Sequence, residues 1–290
     1  VGQLGIIALP GCEELANKID NYLIRWRFQR NSEHKDTLAF AGYEKSTYLI
    51  NMDFPRFGTG EGKAALNQTV RGYDIYILCD VFNYGVTYKM YGITVPMSPD
   101  EHFANLKRAI SAIEGKAKRV SVIMPMLYEG RQHKRSSRES LDCAMMLQEL
   151  HNMGVENFIT FDAHDPRVMN AIPLCGFESI SPAYQMIKAA VNNVDNLKIN
   201  KDNIMIISPD EGGMSRCIYY STVLGVELGM FYKRRDFSRI VDGRNPIIAH
   251  EFLGDNVEGK DVIIVDDMIS SGESMIEVAT KLKELKAARI

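Results

Sequence analysis

A repeated change of hydrophobic period constrains this chain more than any single residue does. Short β-branched runs at 74–79, 120–124, 158–161, 204–207 and 262–265 are separated by helical patterns at 99–113, 140–153 and 273–285. Strands that alternate with helices of this length predict parallel α/β layers. In the helix at 140–153, Leu141, Ala144, Met145, Leu147 and Leu150 line one apolar face, and Gly154 follows as a stop. The strand-loop-helix pattern occurs in both halves, and 290 residues with 46% hydrophobic content can fill about two domains of roughly 100–200 residues each. A turn signal at Ser181-Pro182, just before a helix at Ala183, sets the expected domains at 1–180 and 181–290.

Charge and cysteine usage narrow the function class. A formal net charge of -3 gives no general attraction to a polyanion, which argues against nucleic acid or a membrane surface as partner. Cysteines 12, 79, 143, 175 and 217 are odd in number and form no C-x-x-C pair, so a reducing cytoplasm is expected. The apolar runs are far shorter than the roughly 20 residues of a membrane helix. The sequence opens at Val1 and closes at Ile290 after a helical stretch, where an α/β fold adds another strand, so a shortened chain is expected.

The segment Val262-Ile-Ile-Val-Asp-Asp-Met-Ile-Ser-Ser-Gly-Glu-Ser274 carries the most chemistry. An apolar run of this kind suits a strand buried on both faces, and ligands of such sheets bind beyond the carboxyl ends of the strands. Ser270, Ser271, Gly272 and Ser274 supply hydroxyls and unhindered amides at a helix N-terminus, a setting for a phosphate monoester. Asp266 and Asp267 are repelled by that phosphate and suit vicinal sugar hydroxyls, directly or through Mg²⁺. The same letters also serve a strand-end pair that caps the next helix.

The whole pattern resembles the phosphoribosyl pyrophosphate signature of phosphoribosyltransferases and ribose-phosphate pyrophosphokinases. It departs from that signature at Ser270, which stands where the family has an acid, and at Ser271-Gly272-Glu273-Ser274, which replaces Thr-Gly-Gly-Thr. Further segments separate the two families. Ser208-Pro-Asp-Glu-Gly-Gly213 and Phe161-Asp-Ala-His164 resemble pyrophosphokinase segments that serve metal and ATP, and the resemblance implies His164 and Asp210 as ligands of an Mg²⁺ on the ATP phosphates. The basic stretch from Tyr128 to Arg138 resembles the family's nucleotide loop, which assigns Arg131 and Gln132 to ATP, with His133 in place of an Asp; by itself the stretch reads equally as a solvated basic patch.

Phe231-Tyr-Lys233-Arg234-Arg235-Asp236 resembles the family's flexible catalytic loop, which assigns Lys233 and Arg235 to clamp the ATP phosphates; three cations in a row also suit a charged hairpin edge. Asp53-Phe-Pro-Arg-Phe57-Gly-Thr-Gly-Glu61 resembles the loop that reaches the adenine of a neighbouring subunit, through Phe57 and Glu61, with Thr59 in place of an Asp. Val70-Arg-Gly-Tyr-Asp-Ile-Tyr76 resembles a strand entry of the same family, with inserted material at 81–99 and after Arg235.

The resemblance to a divergent ribose-phosphate pyrophosphokinase implies two tandem phosphoribosyltransferase-like (type I) α/β domains, each a mainly parallel sheet flanked by helices. It further implies Mg²⁺-dependent transfer of diphosphate from ATP to ribose 5-phosphate in a homo-oligomer, a dimer or a hexamer. Two alternatives stay open: a phosphoribosyltransferase, which leaves the cations at 233–235 without a task, and a non-catalytic regulatory homologue, suggested by the departures at Ser270, His133 and Thr59.

Overall fold

A computed structural model describes residues 2–33, 45–235 and 247–290, with 233–235 and 247–250 described by their backbone alone. The chain forms two compact units, Val1–Ser181 and Pro182–Ile290.

The first unit runs β1 (Gln3–Ala8), α1 (Glu13–Ser32), β2 (Met52–Asp53), β3 (Ala65–Leu66), β4 (Tyr73–Leu78), β5 (Thr87–Met90), β6 (Ile93–Pro96), α2 (Pro99–Ile113), β7 (Arg119–Met124), α3 (Asp142–Asn152), β8 (Val155–Phe161) and β9 (Gly176–Ile180). Its main sheet has the order β1-β4-β7-β8-β9, and every neighbouring pair is parallel. Ile75, Ile77, Leu78 and Val122 are buried because helices cover both faces of this sheet. Phe103, Leu106, Ala109 and Ile110 of α2 and Leu147 and Leu150 of α3 pack with Ile75 and Ile77 on one face; Ala16 of α1 packs with Ile6 and Leu78 on the other.

Helix α2 starts where the sequence reading put it, and its capping explains why. The Ser98 hydroxyl accepts from Glu101 N–H, Glu101 returns the bond to Ser98 N–H, and Pro99 occupies the first turn. Helix α3 is shorter than 140–153 and stops at Asn152, with Gly154 at φ +98° just beyond. The inserted stretch at 81–99 contains the β5–β6 hairpin, whose two-residue turn, Tyr91-Gly92, has positive φ at both positions, as a turn matched to strand twist requires.

The second unit runs α4 (Ala183–Asn193), β10 (Ile204–Ser208), α5 (Met214–Leu224), β11 (Glu227–Arg235), β12 (Ile247–Leu253), β13 (Asp261–Ile264) and α6 (Glu273–Glu284). Its sheet has the order β12-β11-β10-β13, parallel except that β12 is antiparallel to β11. All five residues of β10 are buried, as a central strand covered on both faces demands. Met205 and Ile207 pack with Val278 and Leu282 of α6, while Ile204 and Ile206 pack with Ala183 of α4 and Cys217 and Tyr220 of α5.

One expectation changes here. The triplet 233–235 lies in strand β11 and not in a loop: Lys233 pairs with His250 and Arg234 with Ala249, and a bulge precedes the pairing of Arg235 with Ile247. The inserted material expected after Arg235 begins outside the described residues. Among the described residues no helix is long and apolar enough to cross a membrane, and all five cysteines are free thiols.

Leu106 is fully buried between α2 and the sheet. Leu106→Ala is therefore expected to lower the unfolding free energy of the first unit by about 2–5 kcal/mol, read from its denaturant midpoint; a loss well under 1 kcal/mol would mean that the site collapses without leaving a cavity.

Candidate active site

In the second unit, the neighbouring strands β10 and β13 end side by side. Ile207 pairs with Ile264, and Val265 N–H donates to Ile207 O one residue further on. The chain leaves β10 towards β11 on one side, while β13 flanks the other, so the crevice beyond these two ends is a topological switch point, where ligands of open α/β sheets bind.

Two loops meet there. After β10, Asp210 Oδ1 accepts from Gly212 N–H at 2.9 Å and Gly213 N–H at 3.2 Å, and Ser208 Oγ donates to Asp210 O. These bonds fix the Asp210 carboxylate on its own loop. Gly213 is required by space: a Cβ there would lie 2.8 Å from Ser208 Oγ. After β13 come Asp266 and Asp267, then Ser270 and Ser271 at the surface, then Gly272, which caps α6 with φ +82°, a left-handed conformation that costs glycine nothing. Gly272 brings no side chain to cap the helix; Glu273 N–H donates to Ser271 Oγ at 3.4 Å, and Ser274 sits in the first turn. The crevice thus sets carboxylates beside a helix N-terminus lined with small hydroxyl residues.

The carboxylates repel one another. Burial raises the Asp266 carboxyl to about 6, and the neighbouring Asp267 and Asp210 push it the same way, against a bond from Asp267 N–H to Asp266 Oδ1. Arg216, absent from the candidates read from sequence, is the local counter-charge. Its Nη1 lies 3.9 Å from Asp266 Oδ1 and 3.7 Å from Asp267 Oδ1, with Arg216 only 12% and Asp267 only 5% exposed. A sequence signal for it did exist: Arg216 occupies the first turn of α5, where the helix dipole disfavours a cation, so some other demand must hold it there.

The 233–235 triplet lies on the same edge. Ser208, the last residue of β10, pairs with Met230, and β11 continues past it to Arg235. At about 3.3 Å per residue, the Lys233 backbone stands roughly 10 Å beyond the end of β10. The side chains of Lys233 and Arg235 lie outside the described residues.

In the first unit, the ends of β7 and β8 are likewise adjacent, since Met124 pairs with Thr160 and Phe161 N–H donates to Pro125 O. The loop after β7 is anchored by Tyr128, which stacks on Phe103 and donates to Asp100. It then exposes Arg131 and Gln132 and turns His133 inward. The His133 ring lies 5.2 Å from that of His164, and its Nε2 is 3.6 Å from Asp165 Oδ2. Asp165 also takes the forked guanidinium of Arg167, which holds its carboxyl well below the usual carboxylate range. Arg131, Gln132 and His164 therefore share one end of the first sheet. His164 belongs to the first unit and Asp210 to the second.

Phe57 and Glu61 face solvent on a turn closed by Phe57 N–H to Glu61 O. Arg56 holds this turn from below: Nη1 donates to Gly60 O, and the guanidinium covers the Tyr88 ring. Thr59, which stands where the resemblance has an Asp, donates its hydroxyl to Glu61 Oε2 at 2.9 Å and so orients the carboxylate assigned to adenine.

Comparisons with known proteins identify the two halves of the chain. Residues 4–154 match the N-terminal domain of ribose phosphate pyrophosphokinase, and residues 177–290 match the phosphoribosyl transferase domain. A ribose-phosphate pyrophosphokinase of Ralstonia nicotianae is 29% identical over 81% of this chain and 66% of its own length. One from Thermosipho africanus is 27% identical over 84% of the chain and 70% of its own length. The matched stretch thus spans about two thirds of these relatives. The crystal structure of phosphoribosylpyrophosphate synthetase from Mycobacterium smegmatis superposes with a TM-score of 0.73 at 19% identity, covering 99% of this chain and 78% of that one, which is a likeness of fold.

The raised Asp266 carboxyl has a consequence for stability. An aspartate titrates near 3.8 when unperturbed and at about 6 here, so the folded chain holds this proton more tightly than the unfolded one. Ionised Asp266 therefore destabilises the fold above that value, and the penalty fades as pH falls from about 6 towards 4. Asp266→Asn is expected to raise Tm at about pH 8 and to match the parent near pH 4. A Tm difference that stays constant across this range would contradict the assignment.

Proposed function

The chain belongs to the ribose-phosphate pyrophosphokinase family, and from that premise we propose that it transfers the diphosphate of ATP to the C1 hydroxyl of ribose 5-phosphate, giving phosphoribosyl pyrophosphate and AMP. One observation carries the reading: the acid pair Asp266–Asp267, the hydroxyl-rich start of α6, Asp210 and the strand bearing Lys233 and Arg235 all lie along one sheet edge.

The roles follow from charge. Ser270, Ser271, Gly272 and Ser274 hold the 5-phosphate at the helix N-terminus, where amides and dipole favour an anion. Asp266 and Asp267 accept from the ribose hydroxyls and set the C1 oxygen. Arg131, Gln132 and His164 hold the nucleotide, with Phe57 stacked on adenine and Glu61 accepting from its amine across a subunit boundary. The C1 hydroxyl oxygen attacks the β-phosphorus in line and releases its proton to solvent, the bond from that phosphorus to the oxygen bridging to the α-phosphorus breaks, and AMP leaves with the bridging oxygen. Such transfers need alignment and charge neutralisation more than covalent help from the protein. Lys233 and Arg235 supply that neutralisation on the equatorial oxygens.

The donors fit Mg²⁺. Asp210, Asp266 and Asp267 offer hard oxygen ligands, and a divalent cation offsets both the burial and the like charge that raise the Asp266 carboxyl. Among the described residues no group of three or more His, Cys, Asp or Glu side chains forms a ready metal cage, which suits an ion that arrives on phosphates and takes one or two protein ligands. Asp210 is assigned to it, with Oδ1 on its own loop and Oδ2 uncommitted among the described residues. When bound, Mg²⁺ neutralises charge on the phosphate chain. The free thiols suit a reducing cytoplasm, and the cross-subunit adenine loop calls for a homo-oligomer, a dimer or a hexamer.

Release of AMP that requires both ribose 5-phosphate and Mg²⁺, followed by a coupled assay, tests the activity. Pyrophosphate release from phosphoribosyl pyrophosphate and a base, without AMP formation, would instead assign a phosphoribosyltransferase. Lys233→Ala is expected to lower kcat by about 10²-fold or more with ribose 5-phosphate binding unchanged, because its contact forms in the transition state. Unchanged turnover would remove this residue from the mechanism.

A further inference from the structure

The turn that carries Phe57 and Glu61 does not stand alone, because the β5–β6 hairpin braces it. Tyr91 N–H donates to Gly58 O at 2.8 Å. A Cβ on Gly60 would lie 2.8 Å from Met90 Sδ, so turn and hairpin meet there with no room for a side chain. Arg56, which donates to Gly60 O, lies with its Cζ 4.5 Å from the centre of the Tyr88 ring. Both of these side chains reach Glu101 of α2, Arg56 at 3.6 Å and Tyr88 through its hydroxyl. The hairpin falls in the stretch expected from sequence to be inserted, 81–99, and it brings to the turn a residue to which the family resemblance gives no role, Tyr91.

Tyr91 is ill suited to its place in the backbone. It is the first residue of the two-residue hairpin turn and has φ +50°, a left-handed conformation that Gly, Asn and Asp adopt readily and a large side chain does not. Nor does the core gain from it. Tyr91 is 77% exposed, and Phe57, one residue from the bond that Tyr91 makes, is 55% exposed. A residue held in a disfavoured conformation without benefit to packing points to a task outside the fold. The surroundings suit a flat ligand, since a Cβ on Gly58 would meet nothing within 4 Å and the space over that residue is open. Nucleobases pack on aromatic rings because each offers a π face.

We propose that Tyr91 is a second aromatic contact for the base of ATP, packing against the adenine on which Phe57 stacks, an inference that rests on the assignment of Phe57 and Glu61 to adenine. The hairpin then has a double part: it fixes the turn through Met90, Tyr88 and the Tyr91 amide, and it adds the Tyr91 ring to the wall of the base site. With the base held by two rings, Glu61, oriented by Thr59, reads the exocyclic amine.

Calorimetric titration of the full chain in its assembled form tests this, with ATP in one arm and inorganic tripolyphosphate, which has no base, in the other. Tyr91→Asn is expected to weaken ATP about tenfold, the effect of losing one base–aromatic contact, and to leave tripolyphosphate within about twofold of the parent. The same substitution is expected to leave Tm unchanged or higher, because Asn suits the left-handed turn position. Tyr91→Phe keeps the ring and is expected to bind ATP within about twofold of the parent. Equal ATP affinity in the parent and Tyr91→Asn overturns the role of Tyr91 and leaves the adenine turn standing. A parallel loss for ATP and tripolyphosphate also overturns it, since the residue would then act through the fold or the phosphates. Loss of the adenine assignment itself reads differently: Phe57→Ala would then bind ATP as tightly as the parent.

Discussion

The parallel pairing of β10 with β13 is the contact on which the rest of the second unit depends. It runs from Ile204 opposite Asp261 to Ile207 opposite Ile264, and the bond from Val265 N–H to Ile207 O extends it to the point where both chains leave the sheet. Buried residues on both faces hold that register, because a slip of one position would turn each apolar side chain to the wrong helix layer. What the register delivers is proximity: the Asp210 loop and the Asp266–Asp267 loop emerge as neighbours, and the α6 N-terminus follows within a few residues.

That proximity is unfavourable for the bare protein. Burial, and then the neighbouring Asp267 and Asp210, raise the Asp266 carboxyl, and Arg216 stands near the pair at 3.7 and 3.9 Å. Sites that carry unrelieved charge are common where a ligand is to supply the relief. Here the relief would come from a divalent cation and from sugar hydroxyls that donate to carboxylates. The first unit handles charge differently: His133 and Arg167 both approach Asp165, so its acid is compensated within the chain.

Much of this was legible in the residues. The alternation of strand and helix periods located β4, β7, β8, β10 and β13 to within a few residues, because buried strands are continuous apolar runs. By residue type alone the acid pair and the loop to Ser274 suited either a sugar phosphate or a strand end that caps the next helix, and the family resemblance pointed to the former. Less visible were β1 and α1, where polar and apolar residues mix without a clean period, and the conformation of 233–235. Three cations in a row carry no period, so only the antiparallel partner strand β12 reveals that they continue β11. Arg216 and Asp165 escaped notice because their roles are tertiary: each matters through a residue distant in sequence or on another loop.

A calorimetric titration of ribose 5-phosphate into the parent chain and into Asp267→Asn probes the cradle itself, apart from any turnover. If the crevice beyond β10 and β13 holds a pentose phosphate, the parent binds the sugar phosphate and the substitution weakens it by about tenfold or more, the cost of losing a charged acceptor for ribose hydroxyls. Equal affinity in the two proteins, or no binding to either, would mean that the carboxylate pair serves some other ligand.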